Sequence, residues 1–267
     1  MALSLPRKEG YALITGASQG IGEAMARDLG SMGYNLILVA RRKDVLEKLA
    51  GEITAQTPVT VEVMPCDLAE AEQRAKLIKK LEAYEVDIAI QSAGVASFGP
   101  FLEQDWGYET MQFNLNATAV FELTHALLPK MVQRGFGALC NVGSAAGDVI
   151  IPNNATYIFT KAGVNAFTEA LHYETRGTGV HVTLLAPGPV REALKPEDAR
   201  SIVDRVVPDF LWTTYESCSR ETLHAMAANK RRIVPGPLSK FGAALGQVLP
   251  VRVSAPLLGA VYKKMGG

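Results

Sequence analysis

Residues 11–22 read Tyr-Ala-Leu-Ile-Thr-Gly-Ala-Ser-Gln-Gly-Ile-Gly. A short apolar run, Tyr11–Thr15, ends in a turn holding Gly16, Gly20 and Gly22. Beyond it Ile21, Met25, Leu29 and Met32 recur at helical spacing. A strand feeding a helix through such a turn suits a pyrophosphate. The anion must approach backbone N–H groups at a helix N-terminus, and a Cβ at these positions would block it. A tight turn alone also accounts for three glycines. The place of the turn, after the first strand of a βαβ unit, favours a dinucleotide.

The pattern continues outward. Asn35–Ala40 (NLILVA) is a continuous apolar run of strand length. Val45, Leu46, Leu49 and Ile53 then share a helical face. Further strands are predicted at Val59–Met64, Val86–Gln91, Ala138–Val142, Val180–Leu185 and Arg232–Val234. Long helices are predicted over about Glu103–Arg134 and Thr156–Arg176. Strands that are apolar at every residue are buried on both faces. Strand–helix alternation with right-handed crossovers then gives an α/β fold, a doubly wound parallel sheet with helices on both faces. No linker, repeat or low-complexity segment divides the 267 residues, so one domain is expected. A lid is expected over about 189–230 and an appended tail over about 235–267.

Composition narrows the function. Lys plus Arg and Asp plus Glu are both 27, a net charge of zero, which argues against a nucleic-acid partner held by phosphate neutralisation. No apolar run reaches the length of a membrane span, and the N-terminus lacks a signal-peptide stretch. Cys66, Cys140 and Cys218 are sparse and odd in number, which fits a reduced, cytoplasmic setting with neither disulfides nor a metal site. His125, His172, His181 and His224 have no metal-ligand company.

The end of the second strand reads Ala40-Arg41-Arg42. A carboxylate there would bind the ribose 2′-hydroxyl of NAD(H). Two guanidinium groups instead favour a 2′-phosphate, hence NADP(H) over NAD(H), with Ser18 available as a further hydroxyl. The alternative is a solvated helix start. Asp67, ending the third strand, suits the adenine amino group or a helix N-cap. Tyr157 and Lys161 are four residues apart and share a helix face. A nearby ammonium lowers the pKa of a phenol, so the pair is a plausible acid–base unit. Ser144 lies 13 residues earlier, at the end of the fifth strand, where ligands bind in open α/β sheets.

TGASQGIG (15–22), Gln91-Ser92-Ala93-Gly94, Asn114, Ser144, YIFTK (157–161) and PGPV (187–190) together resemble the short-chain dehydrogenase/reductase superfamily, over about Gly10 to Val190. The resemblance implies a single NAD(P)-binding Rossmann domain over 1–267 with a mostly parallel seven-stranded sheet. It implies that Tyr157 donates the proton in carbonyl reduction. Lys161 would lower its pKa and hold the nicotinamide ribose, Ser144 would bind the substrate carbonyl, and Asn114 would hold a relay water. Cofactor contacts are implied at Gly16, Ser18, Gln19, Gly20, Ile21, Gly22, Arg41, Arg42, Asp67, Leu68, Ala93, Gly94, Tyr157, Lys161, Pro187, Gly188 and Val190.

Three positions depart from the family pattern. Gln91 replaces an Asn and is expected to alter packing near the adenosine. Gly143 replaces a Ser and should be tolerated. Glu192 replaces a Thr that would hold the nicotinamide end, and an inward carboxylate there would repel the cofactor phosphates.

The chain looks most like bacterial 3-oxoacyl and long-chain ketoacyl reductases. Lid residues Val203, Val206, Val207, Phe210, Leu211, Trp212 and Tyr215 suit an apolar substrate, or else are ordinary core contacts. The expected activity is NADP(H)-dependent reduction of a 3-oxoacyl or other lipid-like ketone. Oxidation of a steroid, sugar or other secondary alcohol, and a low-turnover cofactor-binding regulatory protein, are the alternatives. A homodimer or homotetramer is expected, with Met111, Phe113 and Phe121 on the contact helix. The tail from Pro237 holds Lys240, Arg252, Lys263 and Lys264 and no acidic residue, which suits peripheral contact with an anionic membrane, or a cover over the core or a subunit interface.

Overall fold

The computed structural model describes residues 3, 5–190, 212–237, 239–240 and 250–263. Seven parallel strands form one sheet: β1 Gly10–Thr15, β2 Asn35–Ala40, β3 Val61–Pro65, β4 Glu85–Gln91, β5 Gly137–Val142, β6 Val180–Leu185 and β7 Arg232–Ile233. Their order is β3-β2-β1-β4-β5-β6-β7. The chain winds outward one way from β1, then crosses back to start again at β4. The crevice where the direction reverses, at the C-terminal strand ends, is where an open α/β sheet binds ligands.

Side chains alternate across each strand, so a run of apolar residues feeds both faces. Ile14, Leu38, Ile90 and Cys140 point to one core, with Met25, Leu29 and Leu46 from α1 (Gly20–Ser31) and α2 (Lys43–Thr54). Leu13, Val39, Ala89 and Leu139 point to the other. There they meet Leu77 and Leu81 of α3 (Ala71–Leu81) and Leu123 and Leu127 of α5 (Ala119–Arg134). This two-sided burial is the reading that the unbroken apolar strands support.

The expected long helix starts later than Glu103 and is not uniform. α4 (Trp106–Phe113) is capped by Asp105, whose carboxylate accepts the Tyr108 N–H at 2.8 Å. A π-helical turn, Asn114–Thr118, joins it to α5. α6 (Ala155–Glu174) follows β5. α7 (Tyr215–Ala227) occupies the second half of the expected lid, and α8 (Val251–Lys263) lies in the tail. Glu192 and the lid residues Val203, Val206, Val207, Phe210 and Leu211 lie outside the described residues. Among the described residues no helix is long and apolar enough to cross a membrane.

All three cysteines are buried and free, and burial pushes their thiols up, Cys66 to about 11 and Cys218 to about 12. They behave as small apolar side chains. In the tail, Lys240 pairs with Glu221 at 3.1 Å, and the Gly259 carbonyl accepts Asn153 Nδ2 at 3.2 Å, which docks α8 beside the loop before α6.

Candidate active site

The phosphate turn is built from contacts that only glycine permits. Gly16 has φ +68°, and a Cβ there would stand 2.9 Å from Ala93 N and Cα. A Cβ on Gly22 would stand 2.4 Å from the Gly16 carbonyl oxygen, so α1 packs directly on the turn. Thr15 Oγ1 accepts the N–H groups of Ser92 and Ala93 at 3.1 and 3.2 Å, stitching the end of β1 to that of β4. Gln19, the N-cap of α1, makes no side-chain cap bond, and so leaves the positive helix end to an anion. A dinucleotide pyrophosphate fits this cradle.

Arg42 lies over the same turn. Its Nη2 donates to Ser18 Oγ at 3.0 Å and to Gln19 Oε1 at 2.6 Å. Arg41 is exposed and stands 3.8 Å from Asp67 Oδ2. The Asp67 carboxylate also accepts the Ala69 N–H at 3.0 Å, a local turn rather than the cap of α3, which begins after Glu70. Arg74 holds this loop from beneath. It is buried, donates to the carbonyls of Leu68 and Ala69, and pairs with Glu122 at 2.8 Å.

Tyr157 and Lys161, the expected acid–base pair, sit on α6 beside the end of β5. Lys161 is buried and donates Nζ to the Val142 carbonyl at 2.8 Å; burial pulls its ammonium down to about 8. Burial pushes the Tyr157 phenol up, and a hydrogen bond with Ser144 partly offsets that. Lys161 Nζ lies 5.8 Å from the centre of the Tyr157 ring. Ser144 is buried, and its Oγ accepts the Ala146 N–H at 3.1 Å, so its own proton is the one it offers to an oxygen acceptor such as that of Tyr157. Tyr157, Ser144 and Lys161 thus converge at the C-terminal edge of the sheet. Gly94 faces them: a Cβ there would stand 3.3 Å from Lys161 Nζ. Pro187 accepts the Ala145 N–H at 3.0 Å, Gly188 packs on Ser239, and Val190 bridges to Thr213.

Asn114 is not part of this group. It is half-buried at the start of the π-turn, and its Oδ1 accepts only a long 3.4 Å bond from Thr118. The asparagine that reaches the site is Asn116, fully buried two residues on. Its Oδ1 accepts the Val95 N–H at 2.9 Å, and its Nδ2 donates to the Val95 carbonyl at 2.8 Å and to Thr160 Oγ1 at 3.3 Å. It borders Gly94, 3.2 Å from the position of a Cβ there. Helical phase carries the signal that would have found it. The buried stripe Leu127, Leu123, Val120 extended backward at helical spacing reaches Asn116 and Gln112, and passes Asn114 by.

One other expectation changes. Gln91 points toward α5, not the adenosine: its Nε2 donates to Thr124 Oγ1 at 2.7 Å. Gly143 fits its place, and a Cβ there would stand 1.9 Å from Asn165 Oδ1, so a side chain at 143 requires Asn165 to move.

The comparisons agree with this fold. The family model for short chain dehydrogenase matches residues 10–201. Oxidoreductase UcpA of Escherichia coli (strain K12) is 34% identical over 206 residues, 72% of this chain and 76% of its own. Ketoacyl reductase HetN of Nostoc sp. (strain PCC 7120) is 28% identical over 247 residues, 90% of this chain and 85% of its own. A short-chain dehydrogenase of Sphingobium yanoikuyae, solved in complex with NADPH, superposes with a TM-score of 0.77 at 29% identity, over 89% of this chain and 93% of that one. The phosphate turn, the sheet order and these matches place the chain in the short-chain dehydrogenase family of NAD(P)-dependent oxidoreductases.

Proposed function

We propose that the protein reduces a lipid-like ketone, with a 3-oxoacyl thioester as the leading substrate, and prefers NADPH. The observation that carries this is the convergence of Tyr157, Ser144 and Lys161 beside the glycine turn. When bound, the reduced nicotinamide supplies the hydride. Ser144 donates a hydrogen bond to the carbonyl oxygen and stabilises the charge that develops on it. Tyr157, kept neutral by burial, donates the proton that completes the alcohol. The Lys161 ammonium stabilises the phenolate left behind.

The preference for NADPH rests on Arg42, held across Ser18 and Gln19, and on the lack of a carboxylate at the end of β2. The substrate class rests on the apolar residues Val203, Val206, Val207, Phe210, Leu211 and Trp212 of the sequence and on the name of HetN, which matches 90% of the chain. Self-association is part of the same proposal. Phe113, Phe121 and Phe159 are exposed on α4–α6, with Phe113 stacked on Phe159 at 5.4 Å.

The test follows loss of the reduced-nicotinamide absorbance at 340 nm. NADPH and NADH are each offered with 3-oxoacyl thioesters of rising chain length, a steroid ketone and a keto sugar. The reading expects turnover with NADPH that rises with chain length. Turnover of the steroid or sugar alone would replace the substrate class, and none at all with tight NADPH binding would favour a regulatory role.

A further inference from the structure

α6 grips the end of β5 through a row of polar side chains spaced one turn apart. Lys161 Nζ donates to the Val142 carbonyl at 2.8 Å, and Thr168 Oγ1 accepts Asn141 Nδ2 at 3.0 Å. Between them lies Asn165, buried, on the same helix face. Its Oδ1 accepts the Ser144 N–H at 3.2 Å, and its Nδ2 donates to the Ser144 carbonyl at 2.9 Å. One carboxamide therefore fixes both backbone groups of one residue.

The surrounding chain leaves room for that carboxamide and nothing more. A Cβ on Gly143 would stand 1.9 Å from Asn165 Oδ1, and one on Gly147 would stand 2.8 Å from Asn165 Nδ2. The carboxamide is wedged between two glycines that flank Ser144. It is anchored on its far side as well. Nδ2 also donates to Asp148 Oδ1 at 3.0 Å, and Asp148 is ion-paired with Arg232 of β7, which faces Glu169 of α6 at 3.6 Å.

We infer that Asn165 is the positioning residue of Ser144: wedged between Gly143 and Gly147, it fixes the backbone of Ser144 and so the direction in which the Ser144 hydroxyl points. It touches no reacting atom. It acts by removing the freedom of a group that must meet a carbonyl oxygen within a fraction of an ångström. The inference rests on the proposed role of Ser144. It adds that the Gly143/Asn165 pair is a matched unit, in which neither residue changes alone without cost.

The experiment measures NADPH oxidation with 3-oxododecanoyl-N-acetylcysteamine, alongside NADPH fluorescence titration of each variant. Asn165→Ala is expected to lower kcat by about 10- to 100-fold while the NADPH Kd moves less than about threefold. Asn165→Asp keeps the acceptor for the Ser144 N–H and loses both donated bonds. Its carboxyl can donate only when protonated, so the ratio of its kcat to that of the wild type is expected to rise as pH falls from about 8 to about 5.5. Asp148, Arg232, Glu169 and Lys161 surround the position in both proteins, and the ratio reads the added carboxyl together with its interaction with them, Asp148 at 3.0 Å foremost. Gly143→Ala is expected to cost more in the wild type than in the Asn165→Ala background.

A kcat within about twofold of wild type for both Asn165 variants, with Ser144→Ala inactive, overturns the inference and leaves the proposed function standing. An unimpaired Ser144→Ala overturns the proposed function itself. If Asn165→Ala does not fold, the pH ratio of Asn165→Asp decides: a flat ratio overturns the inference, and a rising one supports it.

Discussion

The Arg42 guanidinium donates to Ser18 Oγ at 3.0 Å, so a side chain two residues beyond β2 is already held over the glycine turn at the end of β1. Arg42 is therefore organised to meet a group between the two strands. Each charge-assisted bond to a phosphate contributes about 1.5–3 kcal/mol. Arg42→Ala is expected to raise the KM for NADPH roughly 10- to 100-fold and to leave that for NADH within about threefold. Equal losses for both cofactors would show that Arg42 supports the turn and does not read the 2′-phosphate.

Asn116 and Asn114 make opposite predictions. Removing the Asn116 carboxamide leaves the Val95 N–H and carbonyl without partners next to Gly94. Asn116→Ala is expected to cost roughly 2–3 kcal/mol in urea unfolding, with a large loss of activity. Asn114→Ala gives up one long bond at a half-buried position and is expected to stay within about 0.5 kcal/mol of the wild type. Reversed magnitudes would put Asn114 back at the site.

The physical reason for that error also marks how far the sequence could be read. The strands were legible because β1, β2 and β4 are apolar at successive positions, a pattern that only two-sided burial explains. The glycine turn was legible because its need is local: Gly16 and Gly22 are forced by contacts within the first βα unit and its neighbour β4. Asn114 and Asn116 lie two residues apart on a helix, about 200° around its axis. Only the helical phase separates them, and the π-turn at Asn114–Thr118 shifts that phase by inserting a residue. Asn165 gave no signal at all. Its partners Gly143, Ser144 and Gly147 lie about 20 residues away, across the β5–α6 connection. The same distance hides the dependence of position 143 on Asn165.

Lys161 links function to stability. Its ammonium is pulled from 10.5 to about 8 by burial. Between those values the unfolded chain binds the proton and the folded chain does not, so this residue makes stability rise as pH goes from about 8 to about 10.5. Below about 8 both states are protonated and the buried charge carries its full desolvation penalty. Lys161→Met is expected to be inactive, at least as stable as the wild type at pH 7, and to lack that rise in urea titrations across the window. A wild-type curve parallel to that of the variant would contradict the assignment.

Gly22→Ala sets two effects against each other. Alanine is the better helix former by about 1 kcal/mol. Its Cβ, however, would stand 2.4 Å from the Gly16 carbonyl oxygen and 2.8 Å from the Gly16 carbonyl carbon, both backbone atoms that cannot swing aside. The clash wins, and a net loss of roughly 1–3 kcal/mol with weakened NADPH binding is expected from thermal melts and fluorescence titration. A stabilised variant with unchanged affinity would show that the turn does not hold the pyrophosphate.

Tyr157 is proposed to carry the proton to the substrate oxygen. The direct measurement is single-turnover NADPH oxidation at 340 nm in Tyr157→Phe, with NADPH binding followed in parallel by fluorescence. The phenylalanine ring keeps the packing and removes only the hydroxyl. Unchanged NADPH affinity is expected, with the chemical step slowed by about 10³-fold or more. A step within about tenfold of the wild type, at equal NADPH occupancy, would contradict it and move the proton donor to another group.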